Sequence, residues 1–352
     1  MQAAEEKIVR KGLELGFSNI GFAELRDYPE YLQQARGRNN YEIFAAADDS
    51  LLARLANAKT LNPWAQSVVC AAIGFSSVDY PERLLESIGR AYLARVYTPL
   101  PGTVHAFRIE ELAKLLESFE MRVDRNQFSV PQRLVCAEAG IVTLGNNNFA
   151  YTEQDGSFVI LVTFLVDARL EPSGTEVRNA CPEGCMLCAD ACPTGAIAGP
   201  CDLDLDRCIL FNNQRFAPGA QEEIWEAMGR RIHGCDACQT ACPRNKAVLE
   251  NATSKDPFLE LIEGEFDLEK VLFMDEDYYG ETIRPIMYNY IKDHNVFRRN
   301  AAIALGNSGD ANHLPVLRKA RESFKNPDVL KAVNWAIARL VDSPVASGNA
   351  ST

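Results

Sequence analysis

Two cysteine-rich stretches decide the fold of this chain: CPEGCMLCADACP at Cys181–Pro193 and CDACQTACP at Cys235–Pro243, with Cys208 between them. Nine of the eleven cysteines lie between residues 181 and 243. Closely spaced cysteines ending in Cys-Pro are typical of sequences that bind two 4Fe-4S clusters, in which the fourth cysteine of each run ligates the neighbouring cluster. This rule predicts two ligand sets, Cys181, Cys185, Cys188 and Cys242 for one cluster and Cys192, Cys208, Cys235 and Cys238 for the other.

Other uses of cysteine fit this pattern less well. Disulfides need an oxidising compartment, and the first residues of the chain do not resemble an export signal. Zinc ribbons use paired Cys-x2-Cys motifs, but they lack the third thiolate of each run and the Cys-Pro ending. Buried apolar cysteines would not cluster so densely along the chain. The pattern therefore favours iron–sulfur clusters.

One gap in the motif and the three cysteines outside the ligand sets need interpretations of their own. The first gap holds three residues, where bacterial ferredoxins have two, and Gly184 is expected to absorb the extra one in an unusual backbone conformation. Cys201 is interpreted as a spare thiol, with replacement of a ligand as the alternative. Cys70 and Cys136 lie in apolar segments, and both are predicted to be core residues.

Length and composition indicate a globular protein of two or three domains, since 352 residues exceed the ~100–200 of a single domain. No run reaches the ~20 apolar residues that span a bilayer. The density of thiols predicts a cytoplasmic protein. The net charge of −12 argues against wholesale non-specific binding of nucleic acid.

The first 172 residues are predicted to form an α/β layered domain, because helical patterns alternate with short apolar runs. Helices are predicted at Val104–Glu120 and Pro131–Ala139, the second with Ser129 as its N-cap. The predicted strands are Asn19–Ala23, Ser67–Phe75 and Ser157–Asp167, and the second of these is expected to be buried on both faces.

The chain after the cysteine region is predicted to be a short helical repeat of the HEAT kind. Asn300–Leu305 and Asn334–Arg339 are similar at an offset of 34 residues. From Arg284 to Asp342 there are ten Lys or Arg against five Asp or Glu, which makes nucleic-acid contact a secondary hypothesis. The predicted domains are 1–172 (α/β cofactor domain), 173–255 (ferredoxin-like double 4Fe-4S domain), 256–342 (HEAT-like segment) and a disordered tail at 343–352.

Three parts of the chain together resemble the epoxyqueuosine reductase family, which comprises cobalamin- and iron–sulfur-dependent enzymes of tRNA wobble-base maturation. GRRIHGCDACQTACPRN at residues 229–245, with DRCI at 206–209, resembles the second cluster motif of that family. FRRNAAIALGN at 297–307 is similar to its C-terminal helical segment. A weaker similarity runs from AEAG at 137–140 through GNN at 145–147 to the strand Ser157–Asp167.

The resemblance implies a base-off cobalamin without a protein histidine ligand, reduced by the two clusters, and a low-potential electron donor such as a ferredoxin or flavodoxin. Phe128, Ser129, Asn146 and Asn147 would face the reactive side of that cobalamin. Phe128 occupies the position of the family's proton-donating Asp, and Asn146 replaces a family Lys. A phenyl ring cannot donate a proton, so the resemblance leaves the catalytic acid unknown.

These departures favour a cobalamin- and iron–sulfur-dependent reductase, an oxidoreductase, with an altered substrate. The alternatives are an electron carrier that reduces a partner's corrinoid or metal centre, a true epoxyqueuosine reductase acting on tRNA, and, at lower rank, a reductive dehalogenase-like enzyme. No membrane partner is expected. The scattered histidines His105, His233, His294 and His313 are interpreted as surface or packing residues, with His233 best placed to tune a cluster.

Overall fold

The computed structural model describes residues 2–37, 51–97, 99, 101–174, 177–214, 222–287 and 293–342. The predicted disordered tail at 343–352 lies outside these ranges. Within them, no helix is both long and apolar enough to cross a membrane. The chain divides into two compact units. The first comprises Met1–Asp79, Ala94–Leu205 and Ala237–Ser254, and the second comprises Tyr80–Leu93, Asp206–Asp236 and Lys255–Thr352.

The first unit is built on a four-stranded antiparallel sheet with two small two-stranded additions. Its strands are β1 (Asn19–Glu24), β2 (Ser67–Gly74), β3 (Val123–Asp124), β4 (Thr143–Leu144), β5 (Ala150–Tyr151), β6 (Val159–Val166), β7 (Ile197–Gly199) and β8 (Asp202–Leu203). The large sheet has the order β1-β2-β6-β3, while β4 pairs with β5 and β7 with β8. Every residue of β2 from Ser67 to Ile73 is buried, as its unbroken apolar pattern predicts. All three predicted strands are present.

The first unit also contains helices, of which some pack on this sheet and others lie in the cysteine region. They are Gln2–Leu15, Pro29–Arg36, Ala58–Leu61, Val104–Ser118, Gln132–Glu138, Leu187–Asp190, Ala237–Thr240 and Pro243–Glu250, and residues 51–56 are also helical. Helix Gln132–Glu138 packs against β1, β2 and β6. Its Cys136 is fully buried in one core cluster with Cys70 of β2. Both cysteines are therefore core residues, as predicted.

The predicted N-cap of helix Gln132–Glu138 is wrong. The residue at the cap is Pro131, and its side chain accepts no hydrogen bond from the helix. The Ser129 hydroxyl instead donates to Asp124 Oδ2 at 2.7 Å. A carboxylate is a strong acceptor for a hydroxyl, so the side chain of Ser129 is used within its own loop and not at the helix terminus.

The second unit consists of short helices followed by three longer ones. The short helices are Glu82–Leu85, Arg90–Leu93, Ile209–Gln214, Glu222–Met228, Pro257–Ile262, Leu268–Leu272, Glu276–Tyr278 and Arg284–Ile286, with 3-10 turns at Glu263–Glu265 and Ala311–His313 and a π-helical turn at Tyr279–Ile283. The longer helices are His294–Gly306, Leu314–Ser323 and Pro327–Asp342. Helix Pro327–Asp342 packs on both of the others. Asp310 caps the second 3-10 turn by accepting a hydrogen bond from the backbone N–H of Asn312.

The two similar segments of these helices occupy different environments. Asn300 is fully buried, and its Nδ2 donates to the carbonyl oxygens of Asn213 at 2.6 Å and Ile232 at 2.9 Å. The buried guanidinium of Arg299 donates to Asn300 Oδ1 at 2.9 Å. Asn334, at the matching position of the second segment, is exposed. The sequence similarity therefore does not extend to equivalent side-chain contacts.

Replacing Asn300 by leucine is expected to lower the free energy of unfolding by about 2–4 kcal/mol, because each buried polar group left unpaired costs about 1–3 kcal/mol. Asn334→Leu is the matched control, and its effect should stay within about 0.5 kcal/mol, as for most surface substitutions. Urea unfolding of the anaerobic protein measures both. Equal losses in the two variants would contradict the role given to Asn300.

Candidate metal centre

The first cysteine loop turns its backbone around the position where a cluster is predicted. Cys181 Sγ accepts a hydrogen bond from the backbone N–H of Asn146 at 3.3 Å. The backbone N–H of Cys185 donates to the carbonyl of Pro182 at 3.1 Å, which closes a tight turn. Gly184 lies inside this turn with φ +72°, a left-handed conformation that favours glycine. The extra residue of the first gap is thus accommodated by Gly184, as expected from the sequence.

Two of the cysteines assigned to the first cluster, Cys181 and Cys242, act electrostatically on a third, Cys188, within the first unit. Burial, above all, raises the pKa of the Cys188 thiol, and negative charge on Cys181 and Cys242 raises this pKa further. Backbone N–H donation lowers it in part. Cys242 follows Cys188 by more than fifty positions, so its effect on Cys188 reflects folding and not sequence proximity. This grouping supports the first ligand set, which stays a prediction.

Cys192 has an environment suited to a thiolate. Its Sγ accepts a hydrogen bond from the Ala196 N–H at 3.3 Å and lies 3.5 Å from the Thr194 hydroxyl. Burial opposes ionisation, but hydrogen bonds from the hydroxyl and N–H of Thr194 and from the N–H groups of Ala196 and Ile197 lower the pKa of Cys192. N–H groups directed at cysteine sulfur are the donors that stabilise iron-bound thiolates.

The four cysteines of the second ligand set are divided between the two compact units. Cys208 and Cys235 belong to the second unit, and Cys192 and Cys238 belong to the first. The Cys208 carbonyl accepts hydrogen bonds from the backbone N–H and the side-chain Nδ2 of Asn212. The second ligand set remains a prediction from the sequence motif.

The chemistry of the residues around these cysteines fits iron–sulfur clusters. In the described part of the chain, no three His, Cys, Asp or Glu side chains are close enough to hold one ion. In a cubane cluster each cysteine binds a different iron atom, so the sulfurs surround a body larger than one ion. Thiol side chains with N–H donors aimed at Cys181 and Cys192 are the donor set that such a cluster requires.

Cys201, interpreted as a spare thiol, makes hydrogen bonds of its own. Its Sγ lies 3.5 Å from the carbonyl oxygen of Gly145, to which the thiol donates. Its backbone N–H donates to the carbonyl of Asn146 at 2.9 Å. These contacts give Cys201 a structural role beside the first cysteine loop.

Asn146 and Asn147, predicted to face cobalamin, are buried beside the cysteine loops, with 7% and 6% of their surface exposed. Asn146 Nδ2 donates to the Cys185 carbonyl at 2.7 Å, and Asn146 Oδ1 accepts from Asn179 Nδ2 at 2.8 Å. Asn147 Nδ2 donates to the Cys238 carbonyl at 3.2 Å. Both carboxamides therefore hold cysteine loops in place, and their contact with cobalamin stays a prediction.

Phe128 projects into solvent from a loop that side-chain hydrogen bonds hold in place. Its side chain is 64% exposed. Asp124 Oδ1 accepts from the Asn126 N–H at 3.0 Å, and Asn126 Oδ1 accepts from the Phe128 N–H at 3.0 Å. Gln127 pairs with the backbone of Thr163 in β6, donating to its carbonyl at 3.1 Å and accepting from its N–H at 2.9 Å. The loop thus presents an apolar ring at a defined position.

The same loop is joined to helix Val104–Ser118 by Arg125. The guanidinium binds Glu110 and Glu117, each at 2.6 Å. Phe107 precedes Glu110 by three residues and so shares this side of the helix. Phe107 is 58% exposed. Two exposed aromatic side chains thus lie on elements that the Arg125 ion pairs connect.

The histidines occupy separate environments. His233 is fully buried, and its ring lies 4.2 Å from that of Tyr92 and 5.8 Å from that of Phe297, measured between centroids. Burial lowers the pKa of His233 to about 3, so this imidazole is neutral at pH 7. His313 Nδ1 lies 2.6 Å from Glu269 Oε1, and His294 Nδ1 lies 3.7 Å from Glu276 Oε1.

Tyr151 is a residue of this region that sequence reasoning missed. It is 2% exposed in β5, and its hydroxyl accepts a hydrogen bond from Asn147 Nδ2 at 2.8 Å. The guanidinium of Arg244, two residues after Cys242, lies 4.1 Å above the Tyr151 ring. In the sequence Tyr151 lies thirty residues before the first cluster cysteine, and no motif marks it.

Comparison with known proteins agrees with the assignment of the cysteine region to two 4Fe-4S clusters. Residues 180–245 match the family described as 4Fe-4S double cluster binding domain. The chain is 25% identical to an epoxyqueuosine reductase of Staphylococcus aureus (strain NCTC 8325 / PS 47), over 96% of this chain and 89% of that protein. It is 28% identical to the epoxyqueuosine reductase of Escherichia coli (strain K12), over 96% of this chain and 89% of that protein.

Solved structures show the same fold. An epoxyqueuosine reductase from Bacillus subtilis, solved with its catalytic aspartate loop swung out of the active site, has a TM-score of 0.76 and 25% identity, covering 96% of this chain and 91% of that one. An epoxyqueuosine reductase bound to an epoxyqueuosine-modified tRNA-Tyr stem loop has a TM-score of 0.77 and 23% identity, covering 97% of this chain and 99% of that one. This chain is therefore a relative of the epoxyqueuosine reductases in sequence and in fold, with a double 4Fe-4S cluster binding domain.

Proposed function

We propose that this chain is a cobalamin- and iron–sulfur-dependent reductase of the epoxyqueuosine reductase type whose substrate is altered. The two 4Fe-4S clusters, when bound, would supply single-electron transfer between a low-potential donor, of the ferredoxin or flavodoxin class, and the cobalamin, which the resemblance implies to be base-off. When bound, cobalamin supplies a reducible cobalt centre, and the protein supplies position and electrostatics. The α/β domain at 1–172 would bind cobalamin, residues 173–255 the clusters, and residues 256–342 would form the HEAT-like support.

The ligand assignment rests on the residues of this chain. Cys181, Cys185, Cys188 and Cys242 hold the first cluster, and Cys192, Cys208, Cys235 and Cys238 hold the second. N–H donors at Cys181 and Cys192 support ionised sulfurs at one member of each set. The influence of Cys242 on Cys188 supports the exchange of the fourth cysteine between the two motifs.

We assign the cobalamin to the surface at which Phe128 is exposed, because an exposed apolar ring on a fixed loop can pack against a large cofactor. Phe107, on the helix that Arg125 joins to this loop, is a second exposed aromatic side chain. Loop residues 124–129 are fixed by hydrogen bonds and by the Arg125 ion pairs. A preorganised loop keeps Phe128 and Ser129 in one position at this face.

The proposal of an altered substrate rests on one observation. Phe128, which is 64% exposed, occupies the position that the resemblance assigns to the proton donor. Asp124, the nearest carboxylate in sequence, already accepts hydrogen bonds from the Asn126 N–H and the Ser129 hydroxyl. Both carboxylate oxygens of Asp124 are therefore engaged within the loop itself. The site is therefore suited to a reduction that requires no acid at this position.

Cofactor content after anaerobic isolation tests this proposal. Purification with added cobalamin, followed by iron and cobalt analysis and EPR spectroscopy, is expected to yield about eight iron atoms and about one cobalamin per chain. Protein prepared in the same way without cobalamin is the control for adventitious cobalt. Full iron content without retained cobalamin would contradict the reductase and favour an electron carrier, the candidate that the missing acid suggests.

The second candidate function is that of a true epoxyqueuosine reductase, with tRNA as its substrate. It is favoured by the relative whose structure contains an epoxyqueuosine-modified tRNA stem loop. The basic excess from Arg284 to Asp342 would then contact phosphates of the stem loop. Binding of such a stem loop, weakened by salt, together with its turnover by the unmodified chain, would establish this candidate. A reductive dehalogenase-like activity ranks below both, because no residue described above favours it.

A further inference from the structure

Four buried polar side chains form a network in the second unit. Each is at most 2% exposed, and they belong to the helices Ile209–Gln214 and His294–Gly306: Asn212, Asn213, Arg299 and Asn300. In the second of the two similar helical segments, the counterpart of Arg299 is Val333, so helix packing of this kind does not require a buried guanidinium. Buried polar groups cost free energy unless they are hydrogen-bonded, so the partners of these side chains show what the network holds.

Asn212 joins the network to the segment that carries Cys208. Its Nδ2 donates to the carbonyl oxygens of Asp206 at 2.7 Å and Cys208 at 2.9 Å. Its own carbonyl accepts a hydrogen bond from Arg299 Nη2. The backbone at Cys208 is therefore held by one carboxamide, and the residue that supplies this carboxamide is held by Arg299.

Asn213 and Asn300 act in the same way on the segment that precedes Cys235. Asn213 Nδ2 donates to the Gly234 carbonyl at 2.9 Å, and Asn213 Oδ1 accepts from the Gly234 N–H at 3.2 Å. Asn300 Nδ2 donates to the carbonyls of Asn213 at 2.6 Å and Ile232 at 2.9 Å. Gly234 has φ +85°, a left-handed conformation that favours glycine. The residue directly before Cys235 is therefore held at both its N–H and its carbonyl.

Arg299 connects the two halves of the network. Its Nε and Nη2 donate to Asn300 Oδ1 at 3.1 Å and 2.9 Å, and Nη2 also donates to the Asn212 carbonyl. The rigid fork of the guanidinium fixes the directions of these bonds. Donation to Asn300 Oδ1 also selects the amide orientation in which Nδ2 faces its two carbonyl acceptors. Burial lowers the pKa of Arg299 to about 10, so the guanidinium is charged at pH 7.

We propose that Arg299 and Asn300 position Cys208 and Cys235 as ligands of the second cluster, and that the buried charge of Arg299 favours the reduced form of that cluster. The proposal rests on the ligand assignment of the proposed function. The net charge and the hydrogen bonds around a cluster set its potential, and positive charge stabilises the more negative, reduced state. Arg299 is a positioning residue, since it acts through the backbone of Asn212 and the side chain of Asn300.

Arg299→Gln removes the charge and keeps an amide that donates hydrogen bonds. At a fixed applied potential, the ratio of reduced to oxidised second cluster is expected to fall about tenfold, equivalent to ~59 mV for one electron. EPR-monitored redox titration measures this ratio, with iron content as the check on cluster occupancy. The spectra of Cys188→Ala and Cys192→Ala, each expected to retain one cluster, identify the two signals. The first cluster should keep its potential.

Arg298→Gln is the matched control, because Arg298 is the neighbouring cation on the same helix and donates to the Met274 carbonyl and to Asn295 Oδ1. It should leave both potentials unchanged. Arg299→Lys is the complementary variant, since burial lowers the pKa of a lysine. Its second-cluster ratio should fall between about pH 6 and about pH 9 more than in the unmodified chain, because the lysine loses its proton and the reduced cluster loses a neighbouring positive charge.

Loss of the second cluster alone in Arg299→Gln would also support the proposal. Unchanged potentials in Arg299→Gln at full iron content, or an equal shift in Arg298→Gln, would overturn it. If Arg299→Gln retained neither cluster, the pH dependence of Arg299→Lys would decide, and a dependence equal to that of the unmodified chain would count against the proposal. A chain with both clusters and no cobalamin would contradict the proposed function but leave this test intact.

Discussion

Replacing Cys188 by alanine is expected to halve the iron content of the anaerobically isolated chain, from about eight to about four atoms. Cys188 is buried, and its thiol is influenced by those of Cys181 and Cys242. With alanine at position 188 only three thiolates hold the first cubane, and we expect the whole cluster to be lost during isolation while the second cluster remains. Iron analysis and EPR of the reduced protein measure the change.

A small series of variants tests the exchange of the fourth cysteine between the motifs. Cys242→Ala should leave the same EPR spectrum as Cys188→Ala, and Cys192→Ala should leave the other cluster. Cys136→Ala is the control, because Cys136 lies in the core of the first unit, and it should retain about eight iron atoms. If Cys192→Ala and Cys188→Ala removed the same cluster, each motif would bind its own cluster and the assignment would be wrong.

Phe128→Asp is expected to increase the turnover of epoxyqueuosine in a tRNA stem loop by about 10²–10⁴-fold, the usual contribution of a positioned general acid or base. The substitution returns an acidic side chain to the position that the family resemblance assigns to the proton donor. The loop should tolerate it, because Phe128 is exposed and the loop is held by Asp124, Asn126 and Gln127. Single-turnover assays with reduced protein, read by mass spectrometry of the modified base, measure the rate.

Phe107→Asp is the matched control for this gain. Phe107 is exposed to a similar extent and lies on the helix that Arg125 joins to the loop, so the variant adds the same charge nearby. It should produce no increase in turnover. Turnover by the unmodified chain at a rate comparable to that of Phe128→Asp would show that Phe128 does not exclude epoxyqueuosine, and the tRNA candidate would then replace the altered substrate. Absence of turnover in both proteins would contradict the role given to position 128.

Much of the fold could be predicted from local patterns. The apolar runs at Ser67–Phe75 and Ser157–Asp167 form β2 and β6, because long β-branched runs have few alternatives to a buried strand. Ser129 was assigned wrongly, since its position before Pro131 resembles a cap while its hydroxyl binds Asp124. The sequence pattern around Pro131 does not show that the carboxylate of Asp124, at the end of β3, binds the Ser129 hydroxyl.

The site was predictable to a different extent at each residue. The positive φ of Gly184 followed from counting residues in the first gap, because a tight loop around a cluster leaves no room for an extra extended residue. Asn146 and Asn147 were singled out by resemblance, but their buried hydrogen bonds to the cysteine loops depend on segments about forty and ninety residues away. Such partners come together only in the folded chain, so no spacing rule identifies them.

By itself, the sequence determined that this chain binds two 4Fe-4S clusters, because thiolates spaced by two or three residues converge on one cluster through local backbone turns. Only the tertiary structure decided which side chains surround those thiolates. It placed the Asn146 N–H against Cys181 Sγ and the Asn147 side chain against the Cys238 carbonyl, and it left Phe128 exposed to solvent. Hydrogen bonds of this kind depend on where the sheet and the cysteine loops meet, which residue spacing does not encode.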